Sequence, residues 1–219
     1  MSVAANLVRI REKLQGANVT LIAVSKYASL EQIIEVFNNG VTEFGESRIQ
    51  DALDKQENMP PDMAQHIHWH FIGHLQTNKV RKAVGRFALI HSVDSLRLAK
   101  ELNAAAEKEG VCQPILLQAK LMEDPGKSGF SADELRQSFS QIKSFASLRV
   151  DGLMTMAPLV DDENVWKKCF CGLRDLREEL EQTFQLSLRE LSMGMSDDWP
   201  LAVACGATMI RVGRSIFEK

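Results

Sequence analysis

Short apolar, β-rich runs alternate with helical segments along nearly the whole chain, and few folds accommodate that order. The strand-like runs are Val19 to Ser25, Thr42 to Gly45, Ile67 to Gly73, Phe87 to Val93, Pro114 to Lys120, Val150 to Met156, Arg189 to Met193 and Thr208 to Gly213. Helical spacing fills the intervals. An opening helix sets Val3, Leu7, Ile10 and Leu14 on one face and stops near Gly16. Ser29 and Gln32 form a capping box ahead of Ile33, Ile34 and Phe37, and Ser131 with Glu134 repeats the device ahead of Leu135, Phe139 and Ile142. The longest helical pattern, Asp162 to Phe184, aligns Trp166, Phe170, Leu173, Leu176 and Leu180. Repeated strand-then-helix units require parallel strands with helices outside. No Pro-, Gly- or Ser-rich linker divides the chain, so the pattern predicts an α/β fold: a single (β/α)8 TIM barrel over residues 1–219, preceded by an N-terminal helix. An open doubly wound sheet is the alternative.

Composition narrows the function classes. With 45% hydrophobic and 25% charged residues, the 219-residue chain is an ordinary globular protein. Lys plus Arg number 26 against 29 Asp plus Glu, a net charge of −3, which offers no electrostatic reason to bind nucleic acid or a membrane surface. The longest apolar stretches, LIAV at Leu21 to Val24 and PILL at Pro114 to Leu117, fall far short of the roughly 20 residues of a spanning helix. The N-terminus has no continuous apolar run of the secretory type. A soluble, cytoplasmic protein is expected. Four cysteines at irregular spacing suggest no disulfide framework, and Cys169 and Cys171 lie about 200° apart around a helix, too far to face one metal. Buried free thiols are expected for all four.

Several chemical-looking motifs have plain readings. Gly126-Lys127-Ser128 resembles the end of a phosphate loop, but that pattern needs glycine where Leu121 stands. His66, His68 and His70 alternate along a strand and share a face, yet nothing nearby completes a coordinating set, so structural or pocket-lining roles are expected and no metal. Lys79, Arg81 and Lys82 fall on what should be a solvated helix face.

Strand ends are more informative, because the reactive groups of such barrels gather at the C-terminal ends of the strands and phosphate is often held after strands 7 and 8. Lys26 follows the first strand. An amine against a dry wall there could form a Schiff base with an aldehyde; alternatively the lysine merely snorkels to cap the strand. After strand 7 comes Ser192-Met193-Gly194-Met195-Ser196, and after strand 8 Gly213-Arg214-Ser215. Small residues and hydroxyls let backbone N–H groups close on an anion.

The segments AVSK (Ala23 to Lys26), FGES (Phe44 to Ser47), HWHFIGHLQTNK (His68 to Lys79), HSVDS (His91 to Ser95), GKSGF (Gly126 to Phe130), GLMTM (Gly152 to Met156), LSMGMSDD (Leu191 to Asp198) and RVGRSIF (Arg211 to Phe217) resemble the pyridoxal-phosphate homeostasis protein family. The resemblance runs from about residue 20 to the C-terminus. It implies a barrel like that of alanine racemases, with pyridoxal 5'-phosphate held as a lysine aldimine and no established catalytic activity. Carried over residue by residue, Lys26 is the Schiff-base lysine, Ser192, Gly194, Gly213 and Arg214 hold the phosphate, and Arg211 faces the pyridine nitrogen. The family pattern carries asparagine at Ser47 and commonly proline or another residue at His74, which puts contacts near the ring hydroxyl at issue.

The implied role is non-catalytic, in vitamin B6 and amino-acid or keto-acid balance, by a monomer whose protein partners are not readable. The alternative is a pyridoxal-phosphate-dependent racemase. Racemases of this fold add a β domain whose tyrosine is a second base, whereas this sequence stops six residues after Gly213 and its single tyrosine, Tyr27, adjoins the lysine. The carrier reading is therefore preferred.

Overall fold

A computed structural model describes residues 2–14, 16–122, 126 and 128–218. Lys127 of the phosphate-loop-like triplet lies outside the described residues. Strands β1 (Thr20–Val24), β2 (Glu43–Glu46), β3 (His68–Phe71), β4 (Leu89–Val93), β5 (Gln113–Gln118), β6 (Leu148–Met154), β7 (Glu190–Ser192) and β8 (Met209–Val212) form a closed barrel in sequence order. Every pairing is parallel, and β8 returns to β1 with Ile22 opposite Arg211. That last pairing excludes the open sheet. Each of the eight expected runs overlaps one strand: β2 extends one residue past Gly45, β5 and β6 begin one and two residues before their expected runs, and the other five lie within theirs.

Around the barrel lie α1 (Val3–Lys13), α2 (Leu30–Asn38), α3 (Ile49–Asn58), α4 (Pro61–Ala64), α5 (Val80–Ala83), α6 (Leu96–Glu109), α7 (Ala132–Lys143), α8 (Glu163–Phe184), α9 (Trp199–Ala204) and α10 (Arg214–Phe217). Both capping boxes form as the sequence predicts. Asp162 caps α8, its carboxylate accepting the backbone N–H groups of Asn164 and Val165. The N-terminal helix is held to the end of the fold by Asn6, whose side chain donates to the carbonyls of Ile216 (3.1 Å) and Glu218 (3.3 Å).

The period-two alternation of strands divides the core in two. Outward residues such as Phe44, Phe71, Ile90 and Leu191 join the helices in one large cluster. A separate cluster of Ile22, Leu89, Leu116, Met154 and Met209 lies in the barrel lumen. It is too small to fill the lumen alone, and polar side chains occupy the remainder.

The cysteines depart from expectation. Cys171 on α8 and Cys205 just after α9 form a disulfide across a Cα separation of 5.1 Å. Helix packing brings together two residues 34 positions apart, which spacing in the sequence does not reveal. Cys112 is exposed, on the approach to β5, and Cys169 is a buried thiol near Thr155 Oγ1 (3.7 Å). Lys79, Arg81 and Lys82 are exposed as expected. Among the described residues no helix is long and apolar enough to cross a membrane.

Candidate functional site

A cavity of ≈ 970 Å³ opens at the C-terminal ends of the strands, lined among others by Lys26, Ser47, Ser196, Arg211, Gly213 and Arg214. Barrel closure creates it, since Lys26 leaves β1 and Arg211 and Gly213 belong to the end of β8.

Lys26 is exposed, with its ammonium 4.9 Å from the centroid of the Tyr27 ring. The dry wall expected around it is absent, because β1 ends two residues earlier and the amine stands on the rim. The turn beneath it is firmly held: Ser25 Oγ donates to Glu46 (2.7 Å), and Lys55 Nζ donates both to Glu46 (2.7 Å) and to the Ser25 carbonyl (2.6 Å).

Arg211 lies deeper, 4% exposed. Its guanidinium donates to Ser192 Oγ (2.5 Å) and to the Thr155 carbonyl (2.9 Å), and its backbone N–H donates to the Gly194 carbonyl (3.0 Å). Burial lowers its pKa to about 10, against the opposing pull of Asp198, and it remains cationic at neutral pH. Asp198 itself accepts the backbone N–H of Met195 (2.5 Å), which folds the loop after β7 back on itself.

The structure separates the residues expected around phosphate. Gly213 and Arg214 line the cavity. At Gly213 an added Cβ would stand 3.2 Å from the Val24 carbonyl, so a side chain there would crowd the rim of β1. The Arg214 guanidinium is paired with Asp197. Ser192 does not line the cavity. Its hydroxyl is fully buried, hydrogen-bonded to Arg211 and His91. Gly194 is also set back: with φ +89° and a hypothetical Cβ 2.7 Å from Ala202 Cβ, it is the point where the loop packs on α9. Ser196, further along the same loop, is the hydroxyl that reaches the cavity.

Ser47 lines the cavity, at a place where a Cβ on Gly73 would come 2.1 Å from the Ser47 carbonyl. His74 points elsewhere, its Nδ1 3.1 Å from Asp94. Of the three histidines expected to share a face, His68 and His70 do so and both meet Glu43, at 2.7 and 2.6 Å, while His66 precedes the strand. Their role is to hydrogen-bond a carboxylate. Asp198 beside Arg211, His91 behind Ser192 and Glu43 at the opposite mouth of the barrel are polar groups that sequence reasoning had not singled out. Only the inward parity of Glu43 and His91 could have signalled them.

The chain matches the family described as "Alanine racemase, N-terminal domain" over residues 1–218. It is 44% identical over 200 residues to the pyridoxal phosphate homeostasis protein of Synechocystis sp., covering 91% of each chain. Against the protein of the same name from Aquifex aeolicus it is 35% identical, covering 99% of this chain and 98% of that one. The solved structure of PipY from Synechococcus elongatus with PLP bound superimposes with a TM-score of 0.90 at 41% identity, over 99% of this chain and 100% of that chain. An alanine racemase of Clostridium difficile shares the fold at 13% identity, with a TM-score of 0.81, over 99% of this chain and 56% of the racemase chain.

Proposed function

The chain belongs to the pyridoxal phosphate homeostasis proteins, a branch of the alanine racemase N-terminal-domain family, and from that premise we propose that it binds pyridoxal 5'-phosphate and buffers it without catalysing turnover. The observation that carries this reading is the convergence of a rim amine, Lys26, and a buried cation, Arg211, on one cavity. The residues fit the cofactor. When bound, it supplies an aldehyde for an amine and a pyridine ring that withdraws electrons. Lys26 is placed to hold the aldehyde carbon. Ser196, the backbone at Gly213 and the Arg214 guanidinium are the donors for the phosphate, all three on the wall of that cavity. Ser192 and Gly194 act behind them, the first by accepting from Arg211 and the second by letting the loop close on α9.

Arg211 has donors and no acceptor. Facing the ring nitrogen, it can donate a hydrogen bond but not take up a proton, and a ring whose nitrogen stays unprotonated is a weak electron sink. Tyr27 is 82% exposed and sits beside the Lys26 ammonium on the same rim, which supports no role for it as a second base across the ring. Both features favour a carrier over a racemase. The role that follows is in vitamin B6 and amino-acid or keto-acid balance.

An absorbance spectrum, borohydride reduction and peptide mapping test the reading. The purified protein should be yellow after incubation with the cofactor, and the reduced pyridoxyl group should map to Lys26; Lys26→Ala should remain folded and give no adduct. An adduct on Lys120 or Lys127 alone would overturn the assignment. Racemisation of alanine near an ordinary enzyme's median, about 10 per second, would overturn the carrier reading.

A further inference from the structure

The lumen holds an unbroken line of hydrogen bonds joining the two mouths of the barrel. Arg211 donates to Ser192 Oγ at 2.5 Å, Ser192 Oγ lies 2.8 Å from His91 Nδ1, His91 Nε2 lies 2.9 Å from His70 Nδ1, and His70 Nε2 lies 2.6 Å from Glu43 Oε2. Glu43 Oε1 meets His68 Nδ1 at 2.7 Å, and the His68 side chain is 57% exposed. Glu43 and His68 begin β2 and β3, so this end is the N-terminal mouth, opposite Lys26 and Gly213.

The groups at the two ends give the line a direction. A guanidinium only donates and an ionised carboxylate only accepts. Ser192 therefore accepts from Arg211 and turns its own proton to His91 Nδ1. A neutral His91 then carries its proton on Nε2 and donates to His70, which in turn carries its proton on Nε2 and donates to Glu43. Each imidazole is confined to one tautomer. His91 is held neutral, because burial, with the nearby charges of His70 and Arg211, pushes its pKa well below the ordinary imidazole value. For Glu43, burial works to raise the pKa, but the hydrogen bonds from His70 and His68 outweigh it and keep the carboxyl below its usual value.

We propose that Glu43, His70 and His91 are positioning residues for the cofactor site: they set the donor sense at Ser192, hold the Arg211 guanidinium at the cavity floor, and carry the protonation state of the far mouth to it. The inference rests on the reading that Arg211 faces the cofactor's ring nitrogen. In the state with one proton more, His70 is an imidazolium whose Nδ1–H points at His91. His91 is then the Nδ1–H tautomer, and Ser192 accepts from both His91 and Arg211 while its own proton turns away. One proton is taken from solvent, the lumen gains one positive charge, and Arg211 keeps all its protons. The charged and titratable groups along this line are Glu43 from β2, His68 and His70 from β3, His91 from β4 and Arg211 from β8, with Asp198 beside Arg211. Glu190 of β7 is engaged by Thr208 (2.6 Å).

The full chain tests this in two forms. Without cofactor, nitrogen-15 spectra recorded above the imidazole titration range should show His70 and His91 as Nε2–H tautomers. Glu43→Leu should release His70 to a mixture, and Glu43→Asp should restore the single form. With pyridoxal phosphate bound, the absorbance band of the wild-type protein should shift with pH, and both Glu43→Leu and His70→Asn should displace that midpoint by about one pH unit or more, tenfold in proton affinity, although neither residue lines the cavity. Mixed tautomers in the wild-type protein, or a pH profile unchanged in both variants while thermal stability falls, would overturn the proposal. Absence of any cofactor band would overturn the proposed function instead, and the tautomers would still decide the relay.

Discussion

A guanidinium enclosed in the barrel is tolerated because its edges are occupied by Ser192 Oγ and the Thr155 carbonyl. This separates Ser192, the last residue of β7, from Ser196 in the loop that follows. Ser196→Ala should remove a hydrogen bond to a charged phosphate, about 1.5 to 3 kcal/mol, and weaken pyridoxal phosphate binding roughly 10- to 150-fold while leaving pyridoxal nearly unaffected. Ser192→Ala acts through Arg211 at the ring and should weaken both ligands alike. Parallel titrations decide, and a selective loss with Ser192→Ala would return the phosphate contact to that residue. His91 carries a stability prediction with a definite sign. Its folded pKa is depressed, so below the ordinary imidazole value the unfolded chain binds a proton that the native chain refuses, and stability falls as pH falls through that window. Depressed Glu43 acts in the same direction at lower pH. Denaturant unfolding from neutral to mildly acid pH should show a slope of at most about 1.4 kcal/mol per pH unit from His91, and His91→Gln should flatten it.

The element that matters most for the cup is the segment from β7 to α9. Gly194 stands at φ +89° with α9 against it, and Ala there meets both the left-handed penalty, about 1 to 2 kcal/mol, and contacts of 2.7 and 2.8 Å with Ala202 and Trp199. Gly194→Ala should therefore lower the melting temperature by several degrees, at about 2 to 4 °C per kcal/mol for a chain of this size, and weaken cofactor binding by moving the loop. Melting curves with and without cofactor separate the two effects. The same α9 is linked through Cys205 to Cys171 of α8. Alkylation of the unfolded, unreduced protein should label Cys112 and Cys169 only, and labelling of all four cysteines would refute the disulfide. Helix ends were the most legible part of these elements, because a serine and a residue three positions on form a capping box whatever lies around them.

For the whole molecule, closure of β8 onto β1 is what sets Arg211 and Gly213 beside Lys26. A ligand held from both sides of that seam should stabilise the whole barrel, by about 2.7 kcal/mol at a hundredfold excess over its Kd, and raise the melting temperature accordingly. Differential scanning of the wild-type protein and Lys26→Ala, each with pyridoxal phosphate, checks this; an equal shift in both would remove Lys26 from the site. The eight-fold alternation, the parallel barrel and the residues at the strand ends were readable from the chain itself, because strand and helix periodicity and capping are properties of neighbouring residues. Which of those residues face one another was not readable. Ser192 and His91 are 101 positions apart, and they meet only because the stagger of a closed barrel brings inward positions of separate strands to one height. That stagger set Ser192 between Arg211 and His91, gave Arg211 its line to Glu43, and left Ser196 at the mouth.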